Sequence, residues 1–189
     1  MALPCVVIAV SGTPGSGKTT YSRFIAEHYG LRYVSSGGLF RELARERGVS
    51  LLELHKKAEE DESIDLLIDQ RAIGEALKGG VVVEGHLSVW VLSKIAHIKI
   101  IFDAPREVRA ERIARRDGIS LAEALREIEE REKSNYERAM KYYGLNIRDY
   151  SVADLVVSTQ HLDAEDVKNV VLAYIEGFRR RHPELFTDP

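Results

Sequence analysis

Gly12 and Gly17 enclose four spacer residues, are followed at once by Lys18 and Thr19, and are separated only by Ser11 from the apolar run Cys5 to Val10. Few patterns constrain a chain so tightly, because a working Gly-x-x-x-x-Gly-Lys-Thr loop must link a buried strand to a helix whose N-terminus adds partial positive charge. The glycines permit backbone conformations that a β-carbon blocks, so successive N–H groups turn inward onto phosphate oxygens. Lys18 then reaches the β- and γ-phosphates of a triphosphate, and the Thr19 hydroxyl is a ligand for Mg²⁺. The flanks agree. Cys5 to Val10 reads as a buried central parallel strand, with Cys5 as core filler. From Thr19 to Tyr29 the apolar Phe24, Ile25 and Tyr29 fall at helical spacing, and Gly30 supplies a stop. The run Gly12, Thr13, Pro14, Gly15, Ser16, Gly17, Lys18, Thr19 and Thr20 is therefore expected to cradle ATP.

The rest of the chain continues the alternation. Arg32–Ser35, Val81–Val83, Ile98–Phe102 and Leu155–Val157 read as four more short buried strands separated by helical stretches. Ser50-Leu-Leu-Glu53 and Ser120-Leu-Ala-Glu123 have capping-box form, each opening a helix, the second running to about Tyr143. Asp163 to Arg181 reads as a closing helix with cations at its C-terminus. The expected fold is α/β, a five-stranded parallel sheet with helices on both faces. With 189 residues it forms one domain. Its core comprises 1–36, 79–115 and 151–182, interrupted by insertions at 37–78 and 116–150 that fall beside the glycine loop, where ligands bind in such sheets.

Composition narrows the function. A net charge of −3 argues against a general nucleic-acid or membrane-surface binder and favours a small anionic partner. The single cysteine excludes an internal disulfide, and no stretch has signal-peptide or membrane-span character, so a cytoplasmic protein is expected. Charged residues make up 30% while Asn and Gln are scarce, which leans toward a thermophilic source. A GTPase would carry Asn-Lys-x-Asp and Asp-x-x-Gly segments at the expected places, and neither is present.

Four further segments carry a resemblance. Ser36-Gly-x-x-Phe40-Arg41, Val82-Val-Glu84-Gly85-His86, the strand and arginine-rich stretch Ile98 to Arg116, and Arg131 to Arg138 are similar to segments of the cytidylate kinases of archaeal type, within the nucleoside monophosphate kinases. The resemblance spans nearly the whole chain. It implies in-line transfer from ATP to CMP, giving ADP and CDP, with dCMP as a second acceptor; a monomer is expected. It implies that Ser36 reads the base, and that Arg41 grips the acceptor phosphate through paired hydrogen bonds. Glu84 is implied to hold a water of the Mg²⁺ shell. His86, Arg131, Asn135 and Arg138 are implied to contact the acceptor nucleotide. Lys18 with Arg112, Arg115 and Arg116 of the closing segment is implied to stabilise the transferring phosphoryl group, the 37–78 insertion to bind the acceptor, and 116–150 to act as lid and acceptor contact. Arg131 and Arg138 share one helix face, about 10 Å apart along the axis. Against a role in binding, Glu111 with Arg115 and Glu127 with Arg131 have the spacing of solvated helix pairs. His86 replaces the arginine of bacterial relatives, Asn135 their aspartate near the sugar, and Gly38 the aspartate of many archaeal ones, so acceptor choice stays open. An AMP or UMP kinase is one alternative, and a ribosome-assembly ATPase resembling adenylate kinase is the other.

Overall fold

The computed structural model describes residues 5–186, which leaves residues 1–4 of the expected core outside it. Strand β1 is Val7–Gly12, β2 Arg32–Ser35, β3 Val81–Glu84, β4 Ile98–Asp103 and β5 Leu155–Ser158. All are parallel, in the order β2-β3-β1-β4-β5. β1 therefore lies in the centre, and the loop that follows it opens where the chain connections diverge to either side, the place where such sheets hold ligands. Register brings Val10 of β1, Glu84 of β3 and Ser35 of β2 side by side at the carboxyl edge.

Helices α1 (Lys18–His28), α2 (Ser36–Glu46), α3 (Leu51–Glu60), α4 (Glu62–Leu77), α5 (Ser88–Val91), α6 (Arg106–Asp117), α7 (Leu121–Arg138) and α8 (Ala164–Arg181) fill the connections. The two sheet faces bury separate cores. Ile8, Val10, Ile98, Ile100 and Phe102 pack with α1 and α8 through Tyr21, Ile25, Val167, Val171 and Ile175. On the other face Val7, Ala9, Val81, Val83 and Ile101 pack with α2, α3 and α4 through Phe40, Leu43, Leu54, Ile64 and Ile68. A smaller cluster of Ala110, Ile113, Ala124 and Ile128 joins α6 to α7. Each of these residues is at least nine-tenths removed from water, and the gain of roughly 1.5–3 kcal/mol per large apolar side chain holds the layers together.

Three sequence expectations change. Cys5 is exposed and precedes β1, so it fills no core. β1 starts and ends two residues later than expected because Ser11 and Gly12 stay in register with Ile101 and Phe102 of β4. The second polar helix closes at Arg138 and widens into a π turn, Ala139–Tyr143, ended by Gly144 in left-handed conformation (φ 65°). Such wide turns recur at functional sites. Both expected capping boxes form, at Ser50–Glu53 and Ser120–Glu123. No helix among the described residues is long and apolar enough to cross a membrane.

Candidate active site

The loop from Gly12 to Gly17 leaves no free space for side chains at its three glycines. A β-carbon on Gly12 would stand 2.4 Å from the Phe102 carbonyl oxygen and 2.7 Å from Ser16 Oγ. Gly15 and Gly17 have φ of +80° and +91°, which β-carbons disfavour, and Gly15 also abuts the Arg109 backbone. Gly17 caps α1 by position only. No side chain caps that helix and no acidic residue sits in its first turn, so its leading N–H groups present an anion site.

Lys18 is half-buried and, among the described residues, has no hydrogen bond or ion pair. Burial lowers its pKa to about 8, with Glu84 opposing that shift and Arg131, Arg116 and Arg109 adding to it. An unpaired cation in such a field is arranged for an anion. Beside it, Thr19 Oγ1 donates to Glu84 Oε1 at 3.2 Å, and Tyr33 donates its hydroxyl to the other oxygen of that carboxylate. Glu84 is buried at the end of β3. A hydroxyl and a carboxylate are the hard oxygen donors Mg²⁺ accepts, so these residues fit that ion.

On the other flank of β3, Ser35 caps α2 by accepting from Gly38 N, and Ser36 is the first helical residue. Ser36 lies over Gly85, a contact only a glycine allows. Arg41 folds back toward Gly37 and Gly38, where a β-carbon would stand 3.7 Å from its Nη1 and 3.9 Å from its Nη2, within ordinary contact. It is exposed and, among the described residues, forms no hydrogen bond or ion pair. Burial first, then Arg138, Lys18, Arg131 and His55, push His86 down to about 3, so its imidazole is neutral. Phe40 stacks on His55 with ring centroids 4.5 Å apart.

The expected lid arginines divide. Arg112 donates to the Thr159 hydroxyl at 2.8 Å and the Thr159 carbonyl at 2.6 Å, and reaches Gly15 O at 3.5 Å. Its guanidinium is thus engaged at the donor loop. Arg116 is forked onto its neighbour Asp117, with both contacts at 2.7 Å, while Arg115 is exposed and, among the described residues, has no such partner. The Glu127–Arg131 pair forms at 3.0 Å, whereas Glu111 and Arg115 do not pair. Arg138 donates to Asp65 and to Asn135.

A cavity of about 280 Å³ opens between the donor loop and α7, lined by Thr13, His86, Asp103, Arg109, Glu132, Asn135 and Tyr136 among others. It has the size of a small-molecule subsite. The sequence reading passed over several of the groups that shape it. Buried Arg109 donates to Ala104 O (2.7 Å) and Pro14 O (3.1 Å) and pairs with Glu132 (2.8 Å), which ties loop, α6 and α7 together. Asp103 accepts from Thr13 Oγ1 at 2.7 Å. Thr159 donates to Ser16 O at 3.1 Å and anchors Arg112. A strand-end carboxylate at Asp103 was the available signal; the partners of Arg109 and Thr159 are too distant along the chain to be read from spacing.

Comparison with known proteins places this site in a lineage. The model of the cytidylate kinase-like family matches residues 7–161. The chain is 50% identical over 173 residues to a cytidylate kinase of Staphylothermus marinus, covering 92% of this chain and 98% of that protein. It is also 50% identical over 169 residues to a cytidylate kinase of Pyrobaculum aerophilum, covering 89% of this chain and 92% of the relative. Among solved structures, a shikimate kinase from Acinetobacter baumannii in complex with shikimate superposes with a TM-score of 0.60 at 20% identity, over 94% of this chain and 95% of that one. That likeness concerns the fold, and the close sequence relatives concern descent: the chain belongs to the cytidylate kinase-like family.

Proposed function

We propose that this protein phosphorylates CMP, and dCMP as a second acceptor, with ATP, giving CDP or dCDP and ADP. The observation that carries the reading is the pair of cations that have no hydrogen-bond or ion-pair partner among the described residues, Lys18 at the start of α1 and Arg41 on α2, the helices that follow the two strands flanking Glu84 of β3. One anion-binding group per flank is what a donor and an acceptor phosphate require. The relatives' printed activity supports CMP as that acceptor.

In this reading the loop from Gly12 to Thr20 and Lys18 hold the ATP phosphates. Arg112, fixed by Thr159, steadies the donor side of the loop. Arg41 grips the CMP phosphate through its forked donors. Ser36, His86, Arg131, Asn135 and Arg138 surround the nucleoside, beside the cavity next to α7. The attacking CMP oxygen is already anionic, so no general base is needed. It forms a bond to the γ-phosphorus as the bond to the β,γ-bridging oxygen breaks, and ADP leaves with those electrons. Catalysis consists of alignment and of cations facing charge that spreads over the transferring group. Lys18 faces it from the loop, and Arg115 and Arg116 reach it when the 116–150 segment closes and excludes water. Thr19 and Glu84 would hold Mg²⁺, Glu84 through a water. When bound, that ion neutralises charge on the donor phosphates.

Both half-sites come from one chain, so the monomer suffices. Coupled measurement of ADP release with CMP, dCMP, UMP and AMP in turn tests the reading. CMP and dCMP are expected as the preferred acceptors. ADP release independent of any acceptor, with no CDP formed, would overturn it in favour of an ATPase.

A further inference from the structure

Tyr33 of β2 reaches across to the carboxylate that ends β3. Its hydroxyl donates to Glu84 Oε2 at 2.5 Å, while Oε1 of the same carboxylate accepts from Thr19 Oγ1 at 3.2 Å. The first contact sits at the short end of the range for O–H···O bonds, and the second lies beyond its long end. Tyr33 is therefore the anchor of the carboxylate, and Thr19 its looser partner. Register explains the reach. Tyr33 pairs with Val82, two positions before Ser35 meets Glu84, and residues two apart on a strand share a face, so the phenol runs along the sheet toward its carboxyl edge.

The ring itself is held. It packs against the core that β1, β3 and α1 share, and the Arg23 guanidinium of α1 lies 4.6 Å over its centroid, a cation–π contact. Glu84 turns about several side-chain bonds, so one anchored oxygen sets the attitude of the whole carboxylate. A buried carboxylate needs a donor wherever it lies, which is the plain structural reason for a tyrosine here. Charge pairing does not meet that need. Lys18, whose ammonium lies in the field of Glu84, forms no ion pair with it among the described residues. The partner is instead a neutral hydroxyl on the neighbouring strand, and it leaves Oε1 beside the Thr19 hydroxyl.

We infer that Tyr33 is a positioning residue for the divalent-cation site: by anchoring Oε2 it holds the Glu84 carboxylate with Oε1 at the Thr19 hydroxyl, so that both residues address one ion. The inference rests on the proposed role of Thr19 and Glu84 in holding Mg²⁺. A group that hydrogen-bonds to a metal-binding side chain fixes its orientation, and losing such a group costs about 10–100-fold in metal affinity.

Titration of Mn²⁺ into the full chain holding ADP, followed by the electron paramagnetic resonance of the free ion, tests it beside calorimetric ADP binding in EDTA. The variants are Tyr33→Phe, Tyr33→His, Glu84→Gln and the Tyr33→Phe/Glu84→Gln double variant. Tyr33→Phe keeps the ring under Arg23 and removes one oxygen. It should raise the Kd for Mn²⁺ about tenfold or more, with the Kd for metal-free ADP within about twofold. Tyr33→His, whose ring N–H lies nearer the backbone and draws the carboxylate back, should act in the same direction and serves if the Phe variant folds poorly. Glu84→Gln should weaken Mn²⁺ binding at least as much, and the double variant no further, because both changes act through one carboxylate. Loss of metal-free ADP binding by the same factor, or additive losses in the double variant, would make Tyr33 merely structural and overturn the inference. If Glu84→Gln weakens Mn²⁺ binding and neither Tyr33 variant does, the inference alone fails. If Glu84→Gln leaves Mn²⁺ binding unchanged, the metal role of Glu84 fails first and takes the inference with it.

Discussion

Gly85 lies so close beneath Ser36 that a β-carbon built on it would stand 2.2 Å from the Ser36 hydroxyl oxygen and 2.7 Å from that of Ser88. The glycine is itself held, since Ser11 Oγ donates to its carbonyl at 2.7 Å and accepts from Val89 N at 3.1 Å. The added methyl cannot be absorbed by moving Gly85, so Ser36 and the start of α2 must shift. Overpacking of this kind costs about 1–3 kcal/mol. Gly85→Ala should therefore lower the melting temperature and raise the KM for CMP about tenfold, since Arg41 rides on the same helix, with the KM for ATP changed much less. Initial rates with either substrate varied will show the split.

Lys18 carries the opposite trade. Its depressed pKa means that the fold holds an ammonium at a cost, which is in full force below about pH 8 and disappears as pH rises toward the unfolded value of 10.5. Lys18→Met should thus be folded and more stable at pH 7, by about 2–4 °C in a chain this size. The gain should vanish near pH 10.5. The same change should reduce kcat about 10²–10³-fold or more, because a preorganised donor to the transferring group is lost. Melting curves across pH together with turnover at saturating substrates decide both halves.

Thr159 holds Arg112 at the donor loop through its hydroxyl and its carbonyl, and also donates to Ser16 O. Thr159→Val keeps the shape and the carbonyl contact but removes the hydroxyl. The KM for ATP is expected to rise about three- to tenfold while the KM for CMP stays put. Equal effects on the two substrates would detach Arg112 from the donor side.

How far the chain could be read in advance follows from the range of its interactions. The glycine loop is legible because all its determinants lie within nine residues, and so are the capping boxes, where Ser50 meets Glu53 and Ser120 meets Glu123 three positions on. Hydrophobic runs locate every strand, but β1 is offset by two residues. Its ends depend on register with β4, which no local pattern contains. The same reason hides Arg109, whose contact to Pro14 O spans 95 residues. Arg131 and Arg138 look equivalent on a helical wheel, yet the first pairs with Glu127 on its own helix and the second with Asp65 on another. Local spacing anticipates the first pairing. Only the packing of α7 on α4 creates the second.

That packing also buries Asp69, and burial, opposed only in part by the Tyr143 hydroxyl, pushes its pKa up to about 6 from an ordinary 3.8. A carboxyl whose folded pKa is raised favours the fold below its unfolded pKa, and that contribution is lost as pH rises through the folded value. The cost of the buried carboxylate is therefore absent below about pH 4, grows between pH 4 and about 6, and is constant above. Asn cannot ionise, and its carbonyl oxygen still accepts from Tyr143. Asp69→Asn should be neutral to stability near pH 4 and stabilising at pH 7.5 by about 1–2 kcal/mol, discounted from the full linkage value because Asp69 is not wholly buried. Urea unfolding at pH 4, 5, 6 and 7.5 gives the curve. A gain that is the same at every pH would mean that Asp69 does not titrate in this window, and a loss at pH 7.5 would mean that the ionised Tyr143–Asp69 pair stabilises the docking of the π turn.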